Sequence, residues 1–222
     1  MAKIMEASFN VIYLVTVTLM GIYLISKGSS NKENLLFGIM AIVLGGGDAF
    51  HLIPRTIALL TTGLENYTVA LGIGKMITSV TMTLFYILLY YVWRLRYKIT
   101  GQKGLTIAFY VLAFLRIALC FFPQNLWTSV NPPLSWAIYR NIPFALMGIL
   151  IIVLFYQKAK ETNDKIYNLM WLTIVLSFGF YIPVVLWAQD IPLLGMLMIP
   201  KTLSYVWTVY IGIRSAKAMD RS

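Results

Sequence analysis

The chain has 222 residues, of which 59% are hydrophobic and only 12% are charged. Soluble domains have roughly 25% charged residues, so this chain would expose large apolar patches if it folded in water. The composition therefore excludes a water-soluble globular protein.

A net charge of +10 at pH 7 indicates nucleic-acid binding in a soluble chain, but in a membrane protein it does not, and we expect no nucleic-acid partner. The single cysteine, Cys120, excludes an internal disulfide and a multi-cysteine metal site, and we predict neither a metal nor another cofactor.

Seven stretches of the chain are long and apolar enough to cross a bilayer, which takes about 20 residues. The predicted spans are 8–27, 35–62, 68–93, 104–122, 133–157, 166–188 and 191–213. Only "QDIP" separates the sixth from the seventh, so one long kinked hairpin is an alternative there. Because the connections are short, the sequence predicts an all-α bundle of seven transmembrane helices that forms a single domain over residues 1–222.

The loops differ in their lysine and arginine content, which predicts the orientation of the bundle. The loops after the odd-numbered spans and the C-terminal tail are basic, whereas the opposite side carries Lys3 beside Glu6, Glu65 and Asp190. We therefore predict an external N-terminus, a cytoplasmic C-terminus and a location in the cytoplasmic (plasma) membrane, with membrane lipids as partners of the basic rim. The residues assigned to the cytoplasmic side are Lys27, Lys32, Arg94, Arg96, Lys98, Lys103, Lys158, Lys160, Lys165, Arg214, Lys217 and Arg221.

The second span contains polar residues where a membrane helix is normally apolar. In its segment "LGGGDAFHLIPRT", the residues Asp48, His51 and Arg55 fall on one helix face. Pro54 removes a backbone hydrogen bond, and the three glycines Gly45–Gly47 permit close helix approach or local unwinding. We expect this polar face to point into the bundle.

Four further basic residues lie inside spans on the predicted outer side. Lys75 and Arg140 are each about seven residues into their spans, Arg116 is about six residues from the end of span four, and Lys201 is about ten residues into span seven. At about 1.5 Å per residue, these four cations and Arg55 lie roughly 9–15 Å below the surface. Asp48 is the interior carboxylate that the sequence offers to balance them.

Ile-Pro pairs recur inside four of the spans, with prolines at Pro54, Pro143, Pro183 and Pro200. In three of these spans the pair lies close to one of the interior basic residues. A broken helix frees backbone groups that can line a cavity, although prolines also kink membrane helices without any such role. We predict several proline-kinked helices.

Together these features predict an outward-facing cationic pocket for a small anionic solute or an anionic lipid headgroup. A lysine or arginine at the centre of a membrane helix costs about 2.5–3.5 kcal/mol on insertion scales, and a bound anion would offset that cost. The alternative, which applies best to Lys75 and Arg116, is that single side chains extend to the membrane interface. The predicted ligand-binding residues are Arg55, Lys75, Arg116, Arg140, Asn141, Tyr181 and Lys201.

Two functions would use this pocket differently. In the first, the protein binds and transports the anion, and Asp48 and His51 couple the movement to protons, because histidine exchanges a proton near neutral pH. In the second, the protein is a membrane-embedded enzyme that acts on a phospholipid or other lipid. Asp48 and His51 would then perform acid–base catalysis while the cations hold a phosphate. Since the sequence has no serine nucleophile elbow and no HExxH motif, it leaves open whether the protein is an enzyme.

A seven-helix receptor or retinal-type photoreceptor is a third alternative. Lys201 in the last span is comparable with the lysine that forms the Schiff base in retinal proteins. Pro200 directly precedes it, however, and the third span offers no carboxylate counter-ion, so Asp48 is the remaining choice. The sequence does not predict the substrate or the oligomeric state.

Overall fold

The computed structural model describes residues 2–28 and 31–219, and these residues form an all-α bundle. Seven α-helices follow one another along the chain: α1 Ala2–Ser26, α2 Lys32–Leu60, α3 Thr68–Arg96, α4 Lys103–Cys120, α5 Leu134–Glu161, α6 Met170–Trp187 and α7 Met198–Met219. Short 3-10 segments, Leu64–Tyr67, Pro123–Asn125 and Pro192–Leu197, lie in three of the connections. Each helical segment is long and apolar enough to cross a membrane. The prediction of seven spanning helices is therefore confirmed, and it indicates an integral membrane protein.

The helix boundaries differ from the predicted spans mainly at the two ends of the chain. α1 begins at Ala2, six residues before the predicted start, because the polar segment that contains Glu6 continues the helix instead of preceding it. At the other end, Pro192–Leu197 form 3-10 turns, so α7 begins only at Met198. α6 ends at Trp187, so the sixth and seventh spans are separate helices.

The helices form a closed ring. Consecutive helices pack side by side from α1 to α7, and α7 also contacts α1. Additional contacts join α3 to α5 and α2 to α7, so α3 and α7 are more enclosed than α4 and α6. Aromatic rings fill the centre, for example Phe85 against Tyr205 and Tyr86 against Phe144, whose ring centres are 5.4 Å and 4.9 Å apart. Many leucine, isoleucine and phenylalanine side chains are exposed on the outer surface, as expected of a lipid-facing wall.

The glycines of α2 allow close helix approach and do not interrupt the helix. α2 is continuous through Gly45–Gly47 and through Pro54. A Cβ atom on Gly45 would meet Val17 of α1, and one on Gly47 would collide with Thr81 of α3, whereas Gly46 faces open space. Of the two possibilities that the sequence left open, close approach is the one that the structure contains.

We call the end of the bundle that carries the start of α1 the N-terminal face, and the opposite end the C-terminal face. The predicted assignment of the C-terminal face to the cytoplasm stays a prediction, and Arg221 of the basic tail lies outside the described residues. α5 and α6 run without a break through Pro143 and Pro183, and Pro200 lies in the first turn of α7. Bending of the helix axes at the prolines also stays a prediction.

Candidate functional site

The polar face of α2 points into the bundle at Asp48. This residue lies twelve positions before the last residue of α2, which is roughly 18 Å along the helix axis from its end. The hydroxyl of Tyr13, a residue that is 3% exposed, donates a 2.6 Å hydrogen bond to Oδ2 of Asp48. Asp48 is nevertheless partly exposed, while Leu44 and Gly47 beside it are buried. The carboxylate of Asp48 therefore lies inside the bundle and is held by α1.

His51, one helical turn after Asp48, contacts α3 and not Asp48. Its Nδ1 lies 3.2 Å from the carbonyl oxygen of Leu71. Because a carbonyl oxygen only accepts, Nδ1 carries the proton in this contact, and Nε2 is left as an acceptor when the ring is neutral. Gly74 makes the contact possible, since a Cβ atom there would collide with the backbone of Phe50 and His51. Asp48 and His51 thus share a helix face but bond to different helices, and the role predicted for the pair stays a prediction.

Arg55 has a counter-charge that the sequence analysis did not assign. Its Nε lies 2.5 Å from Oε1 of Glu6 in α1, and the two side chains are 31% and 29% exposed. Glu6 was assigned to the outer rim beside Lys3, but α1 begins early enough to carry it alongside α2. The interior excess of positive charge is therefore smaller than the sequence indicated. Ligand binding by Arg55 stays a prediction, and any ligand there would compete with Glu6.

Arg116 of α4 is buried inside the bundle, with only 2% of the residue exposed. Its Nε donates to the carbonyl oxygen of Ser79 at 3.3 Å, and a terminal nitrogen donates to Oδ1 of Asn141 at 3.1 Å. The guanidinium lies 3.6 Å from the centre of the Phe144 ring. Arg116 therefore does not extend to the interface. Its charge is surrounded by neutral dipoles and by an aromatic face, and no carboxylate of the described chain pairs with it.

Arg140 of α5 anchors the long connection between α4 and α5. A terminal nitrogen donates to Oδ1 of Asn125 at 2.8 Å, and the guanidinium lies 4.2 Å from the centre of a Trp127 ring. Asn125 is fully buried, and its amide donates to the carbonyl oxygens of Leu119 and Phe122. The connection is thus folded against the ends of α4 and α5, so it covers part of the N-terminal face.

Lys201 lies in the first turn of α7 and is 7% exposed. Its ammonium group lies 5.0 Å from the ring centre of Tyr181 and 5.2 Å from that of Tyr205, and it interacts electrostatically with Asp48. No acceptor in the described chain is within hydrogen-bonding distance of it. Among the described residues, the enclosed side-chain polar atoms that lack a hydrogen-bond partner are Asn34 Oδ1, Tyr86 Oη, Tyr97 Oη and Ser177 Oγ. Lys201 Nζ is not one of these fully enclosed atoms, so a small part of it stays exposed.

Asn141 and Tyr181 connect the two buried cations. Oδ1 of Asn141 accepts from Arg116 and also, at 3.3 Å, from the hydroxyl of Tyr181. The ring of Tyr181 in turn faces the ammonium group of Lys201. Arg116, Asn141, Tyr181 and Lys201, which we call the inner polar chain, therefore bring α4, α5, α6 and α7 into one region. Four residues predicted as ligand-binding on separate helices are brought together here.

Lys75 is not part of this inner polar chain. Lys75 is exposed, and no carboxylate of the described residues lies within ion-pairing distance of its ammonium group. It interacts electrostatically with Arg55 and Arg140, so it adds positive charge at the N-terminal face. A position at the rim agrees with the alternative in which its side chain extends to the interface.

Sequence reasoning missed several residues that organise this region. Tyr13 and Glu6 are polar residues of α1 that hold Asp48 and Arg55, and Asn125 holds Arg140. Tyr13 gives little signal in a chain with 14 tyrosines, but Asn10 three residues before it and Glu6 four residues earlier lie on the same helix face. That polar stripe in an apolar helix is the signal that was available.

A second polar cluster joins four segments at the C-terminal face. Arg96 at the end of α3 makes two hydrogen bonds to Asp164, with Nε–Oδ2 and Nη2–Oδ1 distances of 2.8 Å and 3.1 Å. Burial opposes ionisation of the Asp164 carboxyl, but hydrogen bonds from Arg96 and from the amides of Ile166 and Tyr167 hold its pKa below the usual value. Glu33 of α2, which is buried, accepts from the hydroxyls of Tyr167 and Ser215. This cluster fixes α2, α3, α7 and the α5–α6 connection to one another.

Within residues 2–28 and 31–219, no group of three or more histidine, cysteine, aspartate or glutamate side chains is placed to hold a metal ion. Comparisons with protein families, with curated proteins and with solved structures find no match to this chain. Any functional conclusion therefore depends on the chemistry of the site.

Proposed function

We propose that this protein binds a small anion, or the anionic headgroup of a lipid, in the N-terminal half of its bundle and moves it across the membrane. The observation that carries the proposal is the inner polar chain. Two interior cations, Arg116 and Lys201, are joined through Asn141 and Tyr181, and neither has a carboxylate partner in the described chain.

The energetics of buried charge support an anionic ligand. An ionised side chain removed from water is stable only when it is paired or well hydrogen-bonded. Arg116 is hydrogen-bonded on one side, but the ammonium group of Lys201 has no hydrogen-bond acceptor in the described chain and contacts two aromatic rings, with Asp48 beyond ion-pairing distance. A phosphate or carboxylate oxygen is the type of partner that such a lysine lacks.

Asp48 supplies a means of coupling to protons. When its carboxylate is ionised, it attracts Lys201, with which it interacts electrostatically. When Asp48 is protonated, this attraction is lost, and the ammonium group of Lys201 is available to the anion. Anion binding and proton binding would then favour each other, as expected of a protein that carries both together, since coupling between two sites is reciprocal.

The binding step is tested with the purified protein and two probes, inorganic phosphate and short-chain phosphatidylglycerol. Arg140 lies against Trp127, so tryptophan emission is a suitable signal, with Trp127→Phe to assign it. We expect saturable binding of at least one probe and at least tenfold weaker binding by Lys201→Met. Lys103→Met, an exposed lysine at the opposite face, is the matched control and is expected to change affinity less than twofold. Equal losses of affinity in both variants, or no saturable binding by the wild type, would contradict the proposal.

The transport step is tested with the better-binding probe in proteoliposomes. An imposed proton gradient is expected to increase uptake by the wild type. Asp48→Asn is expected to bind the probe but to lose the response of uptake to the gradient. Binding without any uptake would reduce the function to binding alone. If the wild type instead releases lipid breakdown products, and His51→Ala releases none while it still binds the probe, the protein is an enzyme and not a transporter.

A further inference from the structure

Two adjoining clefts lie between α5 and α6, far along α5 from the inner polar chain. The first, of about 250 Å³, is at the C-terminal face, and its polar lining residues are Lys160, Asn163, Asp164, Lys165 and Asn168. The second, of about 520 Å³, is lined by Ile152, Val153 and Gln157. Tyr156 and Trp171 line both clefts, so the two clefts are continuous.

Four side chains of the polar cleft make no hydrogen bond or ion pair within the described chain, although the ammonium group of Lys160 lies 5.9 Å from the centre of the Tyr156 ring. Neither Lys160 nor Lys165 has a carboxylate of the described chain within ion-pairing distance, and the amides of Asn163 and Asn168 make no side-chain hydrogen bond within that part of the chain. The nearby acidic residues are occupied: Glu161 pairs with Lys158 at 2.7 Å, and Asp164 pairs with Arg96 at 2.8 Å. After these pairs cancel, the cleft is left with the two positive charges of Lys160 and Lys165.

The apolar cleft extends from this polar end into the membrane-spanning part of α5. From Lys160 back to Ile152 is eight residues, or about 12 Å of helix. Val153 and Tyr156 are 42% and 45% exposed, so the cleft opens to the outer surface of the bundle, where lipid chains lie. Tyr156 and Trp171 meet edge to face at 5.4 Å where the polar and apolar parts join. Tyrosine and tryptophan are typical at that depth, between headgroups and acyl chains.

We propose that this pair of clefts, which we call the α5–α6 groove, is a binding site for one anionic phospholipid of the adjacent leaflet. Lys160, Lys165 and the two asparagines bind the phosphate, and one acyl chain lies along Ile152 and Val153. Basic pockets between helices at a membrane surface bind anionic lipid headgroups in this way. The proposal is independent of the inner polar chain, because the groove shares no residue with it.

The test is native mass spectrometry of the delipidated protein titrated with phosphatidylglycerol or with phosphatidylcholine. We expect the wild type to retain one phosphatidylglycerol in preference to phosphatidylcholine. The double variant Lys160→Gln/Lys165→Gln is expected to bind phosphatidylglycerol at least fivefold more weakly. Lys103→Gln/Lys217→Gln removes two exposed lysines from the same face and serves as the matched control, with an expected change below twofold. Equal weakening in both double variants would show diffuse electrostatic attraction and would overturn the proposal, as would no weakening in either.

The contribution of the acyl chain needs a separate variant with unchanged charge. Val153→Trp fills the apolar cleft, whereas Ile107→Trp places the same bulk on an exposed position of α4. Only the first is expected to weaken phosphatidylglycerol binding, by at least threefold. Glycerol phosphate at the same concentration is not expected to compete, because it lacks the acyl chain. Effective competition by glycerol phosphate would mean a soluble phosphate site and would contradict a lipid site. Lys201→Met tests the inner polar chain and is expected to leave binding at the α5–α6 groove unchanged, so phosphatidylglycerol that stays bound to Lys201→Met but is lost from Lys160→Gln/Lys165→Gln is assigned to the groove.

Discussion

The hydroxyl of Tyr13 in α1 donates a 2.6 Å hydrogen bond to Oδ2 of Asp48 in α2. Tyr13 is 3% exposed, so the bond lies in the interior of the bundle and joins two helices that pack closely. The same carboxylate interacts electrostatically with Lys201. Tyr13 therefore helps to set the orientation of the carboxylate that faces the inner polar chain.

Replacing Tyr13 by phenylalanine is expected to lower the stability of the protein. The change leaves Oδ2 of Asp48, in the interior of the bundle, without its donor, and the loss of such a hydrogen bond costs about 1–3 kcal/mol. Tyr86→Phe is the matched control, because Tyr86 is fully buried and its hydroxyl, which lies near those of Tyr205 and Ser177, makes no hydrogen bond to a charged group. Thermal unfolding in detergent should show a lower Tm for Tyr13→Phe and an unchanged or higher Tm for Tyr86→Phe. Equal losses of Tm in the two variants would contradict the assigned hydrogen bond.

Arg116 and Asn141 are expected to depend on each other for stability. Asn141→Leu removes the side-chain acceptor of Arg116 and leaves the buried guanidinium underbonded, so the Tm should fall. Arg116→Met removes the charge itself, and replacing a buried charged group by an apolar one of similar size is often neutral. In the double variant the cost of Asn141→Leu should be about 1–2 kcal/mol smaller than in the wild-type background. A double-mutant cycle in thermal or denaturant unfolding measures this coupling, and strictly additive effects would contradict it.

The spanning helices could be predicted from the sequence because apolar length alone identifies them. α4 was expected at 104–122 and lies at Lys103–Cys120. The start of α7 was harder to predict from the sequence. Residues 191–197 are apolar, but proline at Pro192 and the glycine that follows favour 3-10 turns, and hydropathy does not distinguish 3-10 turns from an α-helix. As a result Lys201 lies in the first turn of α7 and not in the middle of a helix.

The site could be predicted only in part, because the sequence gives depth along a helix but not the partner across it. Depth along the spans placed Arg116 and Lys201 at a comparable level, and the structure brings them together with Asn141 and Tyr181, although ligand binding by these residues stays a prediction. The pairing of Arg55 with Glu6 required the relative positions of α1 and α2. Likewise, the arginine and lysine residues near the C-terminal face were interpreted as signals of orientation and as contacts for membrane lipids, although Arg96 is held by Asp164.

The ion pair between Arg96 and Asp164 predicts a specific dependence of stability on pH. The pKa of Asp164 is lowered in the folded protein, so its ionised form stabilises the fold above the ordinary pKa of 3.8, and this contribution is lost as the pH falls through the lowered value. Asp164→Asn is therefore expected to reduce the Tm by a few degrees at pH 7, and the difference from the wild type should shrink below about pH 4. Asp190→Asn, at an exposed carboxylate, is the control and should change little at either pH. A wild-type advantage over Asp164→Asn that is the same at pH 7 and pH 3 would contradict the assignment.

Two glycine substitutions test how closely α2 and α3 pack beside His51. A Cβ atom on Gly74 would collide with the carbonyl oxygen of Phe50 and with Cα of His51, and backbone atoms cannot move away without separating the helices. Gly74→Ala should therefore destabilise the protein by about 2 kcal/mol or more, as overpacking of a core does. Gly46→Ala is the matched control, since nothing lies within 4 Å of the new methyl group. Because alanine favours a helix over glycine by about 1 kcal/mol, Gly46→Ala should raise the Tm. The two changes are thus expected to shift the Tm in opposite directions. If Gly46→Ala lowers stability as much as Gly74→Ala does, close helix packing at Gly74 is not the cause of the loss.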